Sequence, residues 1–121
     1  PEDLALSVLT TVIGRQGDGR ALIVDAGWMA LSRDTGLPWK RDAFGYGLVC
    51  DEAGQLISGL RVTETNQEHG IVSGPPCPAL PAGTRLRILP VHACATAACF
   101  DSYILLQDGR ISGRLERCRG W

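Results

Sequence analysis

No apolar run in this sequence approaches the roughly 20 residues needed to cross a bilayer. The first residues, Pro1-Glu2-Asp3, are acidic where a secretory signal would be basic. A cytoplasmic location with no membrane partner is therefore expected. Neither sign of charge is in excess, since 12 Lys and Arg stand against 13 Asp and Glu, so no basic field exists to gather phosphates along a nucleic acid. Arg110, Arg114, Arg117 and Arg119 crowd the C-terminus without an aromatic ladder, and they read as a solvated strand face. Paired cysteines are missing too. Cys50, Cys77, Cys94, Cys99 and Cys118 are odd in number and include no CxxC, which argues against a disulfide framework and a four-cysteine zinc site. Most are expected to be buried thiols. No glycine loop leads into a helix as a phosphate cradle would. The only lysine is Lys40, in Pro38-Trp39-Lys40-Arg41-Asp42, where a solvated amine is expected rather than a desolvated Schiff-base amine. Pro1 stands where an initiator methionine would, so the chain is expected to be trimmed or cut from something longer.

Long amphipathic helices are also lacking: no window of helical length sustains apolar spacing of three and four, and the best short candidate is Ala93 to Phe100. With 45% hydrophobic and 21% charged residues, the 121-residue chain has the content for one core and too little for two, so residues 1–121 read as a single domain. Leu4, Leu6, Val8, Thr10 and Val12 form one face of an alternating run, as a half-buried strand requires. Gly17-Asp18-Gly19 turns it into Ala21 to Asp25, a first hairpin. Trp28 to Tyr46 reads as a long connection with one helical turn near Met29 to Arg33. Leu48 to Cys50 and Leu56 to Glu64 flank a second hairpin loop, Asp51-Glu52-Ala53-Gly54. Gly70 to Ser73 and Arg85 to Ile88 are further strands, separated by a proline-rich stretch that stops pairing. Tyr103 to Leu106 and Ile111 to Cys118 surround Asp108-Gly109, the strongest hairpin signal present. The expected fold is mainly β: a small antiparallel β-barrel-like domain built of hairpins, with at most one or two short helical turns.

The chemistry-bearing residues are few. His92-Ala93-Cys94 follows Pro90-Val91 at a strand end, and in extended backbone residues two apart point the same way, so imidazole and thiolate could share one ion. A nitrogen with a soft thiolate favours zinc, and two ligands leave the open positions of a catalytic ion. Two other readings remain open: a satisfied histidine beside a small buried thiol, or a Cys94 nucleophile with His92 as base, for which no orienting carboxylate or oxyanion loop is evident. Glu68 and His69 could orient a ligand, supply a third one or move protons; equally they could be solvated turn residues. Asp25 reads first as a cap on the turn at Ala26-Gly27 and second as a carboxylate facing a cleft.

Four motifs in order resemble the C-terminal domain of the D-serine dehydratase and D-threonine aldolase family. They are Ala21-Leu22-Ile23-Val24-Asp25-Ala26-Gly27 with Ala30-Leu31-Ser32-Arg33-Asp34, then Glu68-His69-Gly70, then Pro90-Val91-His92-Ala93-Cys94-Ala95-Thr96, and Arg119-Gly120-Trp121. The resemblance implies a fold-type III pyridoxal-phosphate enzyme related to alanine racemase. In such enzymes an N-terminal α/β barrel holds the cofactor through a lysine and a β domain supplies the metal ligands. It implies His92 and Cys94 as that ligand pair, since dehydratase-like members carry His-x-Cys and aldolases His-x-Asp, and it points to zinc and β-elimination from a D-amino acid with a β-hydroxyl. Pyridoxal phosphate would be bound only by the full-length enzyme, a homodimer when intact, and the isolated chain would be inactive. The competing expectations are an aldolase or racemase-like domain and a noncatalytic β-barrel interaction module.

Overall fold

The computed structural model describes residues 4–36, 39 and 41–119. The readings placed on Pro1-Glu2-Asp3, Pro38, Lys40, Gly120 and Trp121 lie outside the described residues. Eight strands and three short helices follow in the order β1 (Val8–Arg15), β2 (Ala21–Val24), α1 (Trp28–Leu31), α2 (Arg41–Phe44), β3 (Gly47–Asp51), β4 (Leu56–Thr65), β5 (Gly70–Ser73), β6 (Arg85–Pro90), α3 (Ala93–Ala97), β7 (Ser102–Gln107) and β8 (Arg110–Glu116).

Alternation decides which side of each strand faces inward. Val8, Thr10 and Val12 of β1 are buried while Leu9 and Ile13 are exposed, the parity that the sequence pattern gives. The same alternation sends Leu60 and Val62 of β4 and Leu86 and Ile88 of β6 inward. Burying one face of six such strands is solved by closing the sheet on itself. The strands join as an antiparallel barrel in the order β1-β2-β5-β4-β3-β6, so none of the six is left with an open edge. Register shifts between Val12 and Gly14, Leu48 and Cys50, and Val62 and Glu64 supply the bends that closure needs. β7 and β8 stand apart as a two-stranded sheet.

The mainly β, hairpin-built barrel is therefore observed, with specific differences from the sequence reading. β1 starts at Val8 rather than Leu4. Val8 pairs with Ile88, which would set Leu6 opposite Pro90, a residue without an amide to donate. There are three helical turns among the described residues, because Arg41–Phe44 winds into α2 inside the segment read as connection. The Trp28 to Tyr46 segment thus contributes α1 and α2 instead of one turn. The Pro75-Pro76 bond is cis.

Because every barrel neighbour is antiparallel, one rim collects the starts of β1, β3 and β5 and the ends of β2, β4 and β6. α1 follows β2, the turn 66–69 joins β4 to β5, and α3 follows β6, so all three sit at that rim. No helix among the described residues is long and apolar enough to cross a membrane.

Candidate metal centre

α1 is held at both ends. The backbone amides of Trp28 and Met29 donate to the carbonyls of Asn66 and Gln67, at 2.9 and 3.3 Å, so the turn 66–69 satisfies part of the helix's unpaired first turn. Approach this close requires Gly27, since a Cβ there would stand 2.3 Å from the Asn66 oxygen. At the other end Leu31 is buried, and its carbonyl accepts a 2.9 Å hydrogen bond from the buried Thr96 hydroxyl of α3. The two helices are thereby locked side by side.

Beyond α1 the chain turns at Ser32, which has φ 69°. The Asp34 amide donates to Ser32 Oγ at 3.2 Å, and Asp34 Oδ1 accepts from the Gly36 amide at 2.7 Å. The second carboxylate oxygen, Oδ2, is hydrogen-bonded to His92 Nδ1. This bond, followed by the Gly36 amide, holds the Asp34 carboxyl below its usual range. Both side chains are about half exposed, at 43% for His92 and 41% for Asp34.

His92 occupies the junction before α3 in extended conformation, with φ −131° and ψ 91°, and its carbonyl accepts from the Thr96 amide. Cys94 lies inside α3. The expectation that His92 and Cys94 share one extended segment is thus corrected: the strand ends at Pro90 and the alanine-rich run winds up before Cys94, so the pair spans a strand-to-helix junction. The Cys94 thiol is exposed, beside an open concavity of about 390 Å³ that also involves Ala97, Ala98, Tyr103, Arg117, Cys118 and Arg119. Among the described residues, no three His, Cys, Asp or Glu side chains gather into a set that could hold an ion. The pair offers at most an open site.

Glu68 and His69 are exposed on the turn that seats α1, and neither side chain makes a hydrogen bond among the described residues. Asp25 is structural, but it braces β1 rather than capping the turn at Ala26-Gly27: its Oδ1 accepts from the Thr10 hydroxyl and the Thr11 amide, each at 2.7 Å. The thiols correct another expectation, since only Cys50 is buried; Cys77 is half-buried and Cys94, Cys99 and Cys118 are exposed. Burial pushes the Cys50 thiol up. Arg110 and Arg114 are exposed on β8 as expected, but Arg117 Nη1 donates to the Ala98 carbonyl at 2.7 Å and ties the C-terminal segment to the end of α3. Asp34 was missed as a partner because 58 residues separate it from His92, and local spacing carries no trace of that contact.

The family described as "Putative serine dehydratase domain" matches residues 5–106. A D-threo-3-hydroxyaspartate dehydratase of Delftia sp. (strain HT23) is 52% identical over 99% of the chain, which spans only 33% of that enzyme. Solved structures of the dehydratase include a histidine-to-alanine mutant and a cysteine-to-alanine mutant in the metal-free form, each at TM-score 0.87 and 51% identity. The two substituted positions are two residues apart, the separation of His92 and Cys94. An alanine racemase-like protein of Idiomarina loihiensis is similar at TM-score 0.82 and 43% identity over 95% of the chain, again about a third of its own length. An uncharacterized protein of Mycobacterium tuberculosis is 33% identical over 94% of the chain and 82% of its own length.

Proposed function

The chain belongs to the serine dehydratase domain family, and we propose that it forms the metal-bearing C-terminal part of a pyridoxal-phosphate-dependent lyase that eliminates water from a D-amino acid with a β-hydroxyl. The observation that carries this reading is the state of the His92 ring at the rim. The His92 ring is held through Nδ1, its Nε2 has no hydrogen-bond partner among the described residues, and the exposed Cys94 thiol follows two residues later. The metal-free cysteine mutant of the Delftia dehydratase supports the cysteine position.

The donor set fits a borderline-soft ion, and an imidazole nitrogen with a thiolate selects zinc over magnesium or calcium. Zinc held there would draw charge from the substrate's β-hydroxyl, a poor leaving group on its own. The chain's own residues supply the grip and its support. His92 and Cys94 would hold the ion and leave positions open to water or substrate, and the Thr96 to Leu31 bond holds α3 against α1. Glu68 and His69, exposed on the neighbouring turn, are the candidates for moving a proton at this rim. Pyridoxal phosphate has no room in the barrel interior, because Val12, Leu22, Val24, Val49, Val62 and Ile88 fill that interior with no exposed surface. Its binding is assigned to the remaining two thirds of the longer relatives, in a cytoplasmic homodimer.

A second reading draws on the short mycobacterial relative, most of whose length this domain accounts for. It is a module that works with a separate partner, or without catalysis at all. The longer protein carrying this chain, incubated with D-threo-3-hydroxyaspartate, should release ammonia and a keto acid in a metal-dependent way, and both His92→Ala and Cys94→Ala should abolish that dependence. Glycine plus an aldehyde would indicate an aldolase, and an inverted α-carbon with its hydroxyl retained would indicate a racemase. Metal dependence that survives both substitutions would overturn the assignment.

A further inference from the structure

We infer that Asp34 is a positioning residue that fixes the proton of His92 on Nδ1 and thereby presents Nε2 as the metal-binding nitrogen. This inference rests on the proposed role of His92 as a ligand. A neutral imidazole carries one proton, and the nitrogen that holds it is set by the hydrogen bond the ring makes. An ionised carboxylate can only accept, so a ring nitrogen facing Asp34 Oδ2 must donate. The other nitrogen then keeps its lone pair in the plane of the ring, where a cation can reach it.

Asp34 is held in place by contacts within its own turn. Its amide is held by Ser32 Oγ at 3.2 Å, and Oδ1 is used by the Gly36 amide at 2.7 Å, which leaves Oδ2 for the ring. A Cβ on Gly36 would lie within 3.9 Å of Val91, so the turn carrying Asp34 rests against the residue that precedes His92. The carboxylate and the ring also share a frame. The segment bearing Asp34 leaves α1, the ring precedes α3, and the buried Thr96 to Leu31 bond joins the two. An exposed ion pair formed by chance would need none of this support, and it would have little influence on its partner. The histidine–carboxylate arrangement is the one by which metal-binding imidazoles are commonly oriented, and losing the carboxylate typically weakens binding about 10- to 100-fold.

The test uses ring-nitrogen NMR of this chain together with zinc affinity by competition with a chromophoric chelator. The chain contains two histidines, so the ring signals lost in His92→Gln identify those of His92. In the unsubstituted protein the neutral His92 ring should be the Nδ1–H form. Asp34→Asn should shift it toward the Nε2–H form and weaken zinc about 10- to 100-fold, and Asp34→Glu should restore both readouts in part. A ring found as Nε2–H in the unsubstituted protein, or a tautomer and zinc affinity both unmoved by Asp34→Asn, would overturn the inference. If Asp34→Asn fails to fold, the unsubstituted ring and Asp34→Glu decide the question. Zinc affinity unchanged in both His92→Gln and Cys94→Ala would instead sink the metal reading, while the tautomer result is read independently of it.

Discussion

At Asp25 burial alone would push the carboxyl up, but the hydrogen bonds from the Thr10 hydroxyl and the Thr11 amide more than reverse this, and its pKa lies below the ordinary 3.8. A carboxyl whose folded pKa is depressed contributes stability above its unfolded value and loses it as pH falls through the folded one. Asp25→Asn should therefore destabilise the domain by about 1 kcal/mol near neutrality, discounted for exposure. The deficit should begin to shrink as pH drops below about 4 and be gone only below the depressed folded value, in urea melts repeated across pH. The five thiols make a second prediction at this scale. Cys94, Cys99 and Cys118 should react with a thiol reagent in the folded state, whereas Cys50, buried and raised, should react only on unfolding. Mass spectrometry of labelled peptides with time checks this. That Cys99 and Cys118 are exposed was not legible in the sequence, because cysteine's usual place is the core and nothing local marks them as different, whereas Cys94 is set apart by His92 two residues before it.

At the scale of elements, the strands were legible where two independent signals agreed. Asp108 and Gly109 have φ of 50° and 73°, the pair of positive values that this turn demands, and alternation gave the inward parity of β1. The helices were harder. α1, α2 and α3 have four, four and five residues, too short for apolar periodicity to declare itself, and α1 is held by the Asn66 and Gln67 carbonyls and by Thr96 of α3. Cys94 was expected in extended backbone because the sequence places it close after a strand, although it also lies in Ala93 to Phe100, the best helical candidate, and α3 takes up the start of that run. Gly27→Ala should cost well over the roughly 1 kcal/mol of an ordinary glycine-to-alanine exchange, because the new carbon meets the Asn66 and Gln67 carbonyls. Thr96→Val, which keeps volume and loses the bond to Leu31, should cost about 1–2 kcal/mol. Both losses are measurable as shifts in chemical denaturation midpoint.

For the whole molecule, the closed barrel and the β7–β8 hairpin differ in how they are held. The barrel encloses a core that includes Leu22, Val62, Val72 and Ile88, all without exposed surface, while Ile104, Leu105, Leu106, Ile111 and Leu115 of the hairpin are exposed. Hydrogen exchange should accordingly protect β1–β6 amides to the limit of global unfolding, with the hairpin opening at lower free energy. Leu22→Ala should cost about 3 kcal/mol, and the corresponding Leu105→Ala should cost a fraction of that. At the rim, the buried Thr96 to Leu31 bond ties α3 to α1.

The proposed metal grip of His92 and Cys94 is tested most directly by titrating this chain with cobalt(II) and following the near-ultraviolet sulfur-to-metal band. The chain should take up about one equivalent with thiolate ligation. The band should disappear in Cys94→Ser, weaken sharply in His92→Ala, and persist when Cys99 and Cys118 are replaced together. A thiolate band that outlasts Cys94→Ser, or one that never forms in the unsubstituted chain, would contradict the account.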